Sequence, residues 1–207
     1  MMYKDYLEKN HSFDKKTMLG IFCMIIVIGG VFGFLYEYLF YFFNGGMKEF
    51  YYRGGNFLPW INIYATGSVM IYILTYKYRK NPLKVFLISV ISTGLLEYFS
   101  GLGIYIIGDG LRYWDYNTEI LNFGNINGFV CLRSVMFFGL SALLLMYVIV
   151  PFCFHVANKS NKKVFLIVTI SICSIFLADE FYNLIFTKLF NLPKATTIYK
   201  SIGIHYM

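Results

Sequence analysis

Four carboxylates stand inside otherwise apolar stretches: Glu37 in "GFLYEYLF", Glu97 in "GLLEYFSG", and the adjacent Asp179 and Glu180 in "IFLADEFYN". A carboxylate in such surroundings needs a proton, a countercharge or donor groups, because burying the bare charge costs several kcal/mol. That cost makes each a candidate for proton transfer or for binding a polar solute. Helical spacing sorts them further. Gly30, Gly33 and Glu37 share one helix face, Ser89, Thr93, Glu97 and Gly101 share another, and Glu180, Asn183 and Thr187 form a third polar stripe. Small residues permit close helix approach, so these faces are expected to point into a bundle. Countercharges are available at Arg53, Arg112 and Arg133, each able to fork onto a carboxylate or a phosphate. Cys23, Cys131, Cys153 and Cys173 lie in or beside apolar segments with no zinc or redox spacing, and His11, His155 and His205 form no ligand pair. No metal site and no cofactor is expected. Without a Gly-Lys dipeptide there is no phosphate-binding P-loop, so any ATP hydrolysis must come from another subunit.

The elements that must position these groups are membrane spans. Aliphatic and aromatic residues make up 58% of the 207-residue chain and charged residues 14%, more apolar surface than one soluble core could hide. Five stretches are long enough to cross a bilayer, which takes about 20 apolar residues each: Met18–Phe43, Pro59–Tyr76, Lys84–Ile107, Phe129–Val156 and Val164–Phe190. The expected fold is all-α, a polytopic transmembrane helical bundle. Lysine and arginine set its orientation. Lys4, Lys9, Lys15 and Lys16 precede the first span; Lys77, Arg79, Lys80 and Lys84 follow the second; Lys159, Lys162 and Lys163 follow the fourth. These eleven of the 18 basic residues fall on one side if five spans alternate, which makes that side cytoplasmic. The chain then divides into a cytoplasmic basic tail (1–17), a bundle (18–190) and an external C-terminal tail (191–207), in a plasma-membrane protein. The net charge of +7 reads as topology and contact with anionic lipid, not nucleic-acid binding.

On this topology the acids lie in the outer half or at the midplane, Glu37 about 9 Å and Glu97 and Asp179 about 15 Å from the outer ends of their spans. The polar stretch "RYWDYNTEILNFGNINGFVCLRS", residues 112–134, is then external. Asp109, Gly110 and the Asn/Gly cluster at 122–128 are turn signals, so the loop at 108–128 is read as an external cap or shallow re-entrant loop over a polar cavity. Trp114, Asp115 and Tyr116 would anchor it at the headgroup level.

Several segments together resemble a bacterial membrane family of ABC-transporter type IV permeases, the CmpB-like family. They are the late first-span Glu37; "RGGNFLPWINIYATG" at Arg53, Gly54, Phe57, Leu58, Pro59, Tyr64 and Gly67; and Leu96, Glu97 and Tyr98. The most specific piece is Trp114, Asp115 and Tyr116 followed by Asn125, Asn127, Gly128, Val130, Cys131 and Leu132. Phe129 stands where an arginine is common, and Arg133, one turn on, could take over its charge. The resemblance runs over roughly residues 20–150, and it implies transport.

Two readings of the site follow. The first is a transporter component with an outward-facing polar site for a small polar or amphiphilic solute, formed by Glu37, Arg53, Asn62, Tyr64, Glu97, Trp114, Asp115, Asn127, Arg133 and Glu180. Its expected partners are a separate ATPase subunit and anionic lipids, with a homo-oligomer also open. The second is an enzyme acting on a lipid-linked substrate at the outer leaflet, with Glu97 as general acid/base. A third, non-catalytic reading has the buried acids only orient helices.

Overall fold

The computed structural model describes residues 3–8, 12–44 and 54–204. The described residues form helices and loops, with one isolated antiparallel bridge between Ile126 and Val130. The helices are α1 (Tyr3–Glu8), α2 (Lys15–Asn44), α3 (Asn62–Thr75), α4 (Pro82–Ile107), α5 (Leu132–Lys159), α6 (Lys162–Leu189) and α7 (Ala195–Ser201). Of these, α2, α4, α5 and α6 are long and apolar enough to cross a membrane. The expected span Pro59–Tyr76 holds the 14-residue α3 and a tight turn at Tyr76–Tyr78, shorter than the helices that can cross a membrane.

Burial runs opposite to that of a soluble helix. On α4 the buried face is Val85, Ser89, Thr93, Glu97 and Gly101. The opposite stripe, Leu83, Leu87, Ile91, Leu95 and Phe99, is exposed. Polar and small groups turned inward with large hydrocarbons turned outward is stable only where the surrounding solvent is itself apolar. The chain is an all-α, multi-pass membrane protein.

The chain forms two compact units. The first comprises residues 1–11 and 67–152. Its centre is the antiparallel pair α4 and the first half of α5, where Gly94 faces Val135 and Gly139 packs under Phe86 and Val90. Helix α4 starts at Pro82, whose missing N–H falls where a helix has no partner for it, and Asn81 caps the turn by accepting from the Lys84 amide at 3.0 Å. It stops where Asp109 (φ +51°) and Gly110 (φ +86°) adopt left-handed backbone. Helix α5 loosens to a wide π turn at Leu145–Ile149, just before Pro151, whose ring cannot coexist with a regular preceding turn. The buried Arg79 is a packing residue: its Nε donates to the Tyr6 carbonyl at 3.0 Å and its guanidinium lies 4.2 Å from the Tyr76 ring centroid. It was counted among the charges that mark the cytoplasmic side, and it also ties α1 to the turn after α3.

The second unit comprises residues 12–66 and 153–207. Here α2 and α6 run parallel: the Lys162 ammonium donates to Asp14 at 3.1 Å, Gly20 lies against Phe165 and Thr169, and Gly30 against Phe176. Parallel packing matches two spans entering from the same side. Asp14 caps α2, accepting from the Thr17 amide at 3.1 Å and the Thr17 hydroxyl at 2.8 Å. A core of Trp60, Ala65 and Phe176, with Ile26, Val27 and Val31 against it, holds the segment before α3 onto both long helices. Asn183 disturbs α6, because its side-chain amide donates to the Asp179 carbonyl at 3.0 Å, the acceptor its own backbone N–H would use in a regular helix, and a π turn follows at Tyr182–Phe186.

Candidate functional site

In the first unit the polar centre is Glu97, 4% exposed on the inner face of α4. Its two oxygens accept from neutral hydroxyls. Tyr116 Oη donates to Oε1 at 2.5 Å, and Ser134 Oγ donates to Oε2 at 2.7 Å. The same Ser134 hydroxyl lies 2.8 Å from the Cys131 carbonyl. It has one proton for two acceptors, so the Glu97 carboxyl and the Cys131 carbonyl compete for it. Burial, and then the neighbouring Glu97 carboxyl, raises the Tyr116 phenol well above its ordinary value. The phenol therefore stays protonated and donating at any physiological pH.

Tyr116 reaches Glu97 because the loop before α5 is tightly built. Gly101, one turn beyond Glu97, lets Phe129 and Trp114 lie directly on α4. Trp114 Nε1 donates to the Phe129 carbonyl at 2.9 Å, and the Tyr116 amide donates to the Gly128 carbonyl at 3.0 Å. Asp115 accepts from the Asn117 amide and side chain at 3.0 and 2.7 Å, an Asx turn. Arg112 donates to the Asn127 carbonyl at 2.9 Å, sits 3.6 Å from Asp115, and lies over the Phe129 ring at 4.5 Å. Asn127 and Gly128 take left-handed backbone, and a β-carbon on Gly128 would collide with Asp115, Asn117 and Arg112. Arg133 pairs with Glu119 at 2.7 Å, donates to the Ile120 carbonyl at 2.7 Å, and faces the Tyr116 ring at 5.4 Å. Of the partners open to it, a protein acid has taken this arginine.

The second unit holds a separate acidic pair. Asp179 is clasped by the segment before α3: the Phe57 and Leu58 amides each donate to it at 2.9 Å, and Trp60 Nε1 donates at 3.0 Å. Asn183 supplies a fourth donor at 2.9 Å. Glu180 receives Asn56 at 2.8 Å and Asn62 at 3.1 Å, both neutral amides. Tyr199 of α7 donates its hydroxyl to the Phe57 carbonyl; its phenol is raised by burial and by the nearby Asp179 charge. Asp179 is thus clasped largely by backbone and ring N–H groups, whereas Glu180 accepts from two side-chain amides.

The sequence-predicted residues fall into these two sets. Glu97, Trp114, Asp115, Asn127 and Arg133 lie in the first unit. Glu37, Asn62, Tyr64 and Glu180 lie in the second. Tyr64 packs its ring against Gly33 and stands 6.2 Å from the Tyr36 ring, a packing role. Glu37 is half-buried on α2. Arg53 lies outside the described residues. Sequence reasoning did not find Tyr116 as the Glu97 ligand, nor Asn56, Trp60 and the Phe57 and Leu58 amides as ligands of the acidic pair. Backbone amides leave no sequence signal, and Tyr116 is one of 19 tyrosines. Among the described residues no group of three or more His, Cys, Asp or Glu side chains could hold a metal ion.

A family model described as "Putative ABC-transporter type IV" matches residues 24–184, most of the chain. The match runs past the 20–150 stretch that carries the resemblance, and it takes in Asp179 and Glu180. No curated protein and no solved structure matches.

Proposed function

The chain belongs to the putative ABC-transporter type IV family, and on that premise we propose that it is a membrane-embedded transporter component which captures a small polar or amphiphilic solute at Glu97. The observation carrying this reading is a buried acid whose hydrogen-bonding partners are two hydroxyls, one of them from a loop. A purely structural buried acid is best stabilised by a fixed countercharge or by backbone donors, as Asp179 is here. Hydroxyl partners can be exchanged, and a solute presenting an N–H or O–H donor can replace Tyr116 when the loop at 112–131 lifts. Trp114 and Phe129 then line the way to Glu97, and Arg112 and Arg133 keep the loop in register when closed. With five alternating spans the distribution of Lys and Arg favours the outer side for this loop, and capture is then from outside. The family's ABC description supports a separate ATPase subunit as the energy source, because any ATP hydrolysis must come from outside a sequence with no P-loop.

The test is a solute-uptake screen on cells lacking the protein, complemented with wild type or with Glu97→Gln. The expected result is at least one solute whose uptake falls on deletion, returns with wild type, and stays about tenfold low with Glu97→Gln at equal membrane abundance. Uptake unchanged by the deletion for every solute would overturn the proposal.

A further inference from the structure

The second unit carries a feature that solute capture does not use. An apolar groove of about 310 Å³ runs between α2 and α6, bounded by Met24, Val27, Val164, Val168 and Ile172, with Ser160 lining the end beside the start of α6. From Val164 to Ile172 it follows α6 for about 12 Å, at 1.5 Å per residue. Close packing at Gly20 holds the helices together beside it, so the groove is a fixed gap between two membrane-spanning helices.

Charge gathers at its Ser160 end. Lys159 and Lys163 flank the lining residues Ser160 and Val164 and are exposed. Because α2 and α6 are parallel, Lys15 and Lys16 begin at the same end. Lys162 pairs with Asp14, and Lys159 and Lys163 are the lysines adjacent in sequence to the groove-lining Ser160 and Val164. An apolar channel at membrane depth with an ammonium pair at its mouth matches one amphiphile in both parts: a hydrocarbon tail for the groove and an anionic head for the lysines.

We propose that this groove binds a single anionic phospholipid, with one acyl chain along α6 and its phosphate at Lys159 and Lys163. The lipid fills the gap between α2 and α6 and couples the unit to the anionic leaflet.

The test is native mass spectrometry of the full chain, delipidated and then titrated with phosphatidylglycerol or phosphatidylcholine at equal concentrations. The expected result is one tightly retained phosphatidylglycerol per chain, held at least about tenfold more strongly than phosphatidylcholine. The preference should disappear in Lys159→Gln/Lys163→Gln. Val168→Trp should block retention of both lipids; if that variant does not fold, the lysine pair decides the matter alone. Equal retention of the two lipids, or undiminished phosphatidylglycerol binding by the lysine variant, would overturn the proposal, as would a co-purifying protein that displaces the lipid.

Discussion

Tyr116→Phe deletes one oxygen and leaves Glu97 Oε1 without its donor in a buried site. An unsatisfied buried acceptor costs about 1–3 kcal/mol, so the variant should unfold at lower temperature in detergent than wild type. Ser134→Ala should do the same through Oε2, and less than additively with Tyr116→Phe, because both hydroxyls serve one carboxyl. An unchanged melting temperature for both would show that neither hydrogen bond contributes. Asp14 gives a pH-dependent case outside the membrane. The Thr17 amide, the Thr17 hydroxyl and then Lys162 hold its carboxyl well below the usual carboxylate range. A lowered folded-state pKa contributes stability that is fully present above the unfolded value, about 3.9, and lost as pH falls through the folded value. Wild type should therefore exceed Asp14→Ala in melting temperature by a constant margin at pH 5–8, narrowing below about pH 4. The group is exposed, so the margin is small and shrinks with salt. A margin that widens on acidification would contradict this assignment. At this scale Glu97 was legible, because Ser89, Thr93, Glu97 and Gly101, spaced by four, mark an inward face. Its ligand was not: Tyr116 is 19 residues away through irregular loop, and the Glu180 partner Asn56 is 124 residues away. No period links such pairs.

Helix contacts through glycine decide the next scale. A β-carbon at Gly33 would fall within the ring of Tyr64, whose own Cβ is too close to swing aside. Gly103, also on a long helix, has nothing within 4 Å of that position. Gly33→Ala should cost about 1–3 kcal/mol through overpacking, while Gly103→Ala should be neutral or stabilise by a few tenths to about 1 kcal/mol through helix propensity. Thermal unfolding of the two variants side by side checks this, and equal melting temperatures would contradict the packing described for α2 and α3. Apolar run length located α2, α4, α5 and α6 to within a few residues, since hydrocarbon runs bounded by Lys, Pro and Asn leave little choice. The irregular turns at Leu145–Ile149 and Tyr182–Phe186 were not legible as such. Pro151 hints at the first, and the second depends on one asparagine reaching for a backbone carbonyl. The expected second span is the shortest, because its start is spent on the Phe57–Trp60 clasp around Asp179 and its end on the Arg79 turn.

For the whole molecule, the inverted burial of α4 and the family match agree on a multi-pass membrane protein of the putative ABC-transporter type IV family. Composition alone carried that class, since no soluble core could absorb this much hydrocarbon. The division into two units was not visible in it, because each unit is assembled from two distant stretches of chain. The family's ABC description together with the missing P-loop is what points to a separate ATPase partner. The most direct test is native mass spectrometry of the tagged protein, gently extracted from its own membrane. The account predicts a stoichiometric ATPase subunit bound to the chain, retained in wild type and in Glu97→Gln alike, because the role proposed for Glu97 is toward the solute and not the partner. Recovery of the chain alone or only with copies of itself, under extraction that keeps its lipid, would contradict the transporter assignment.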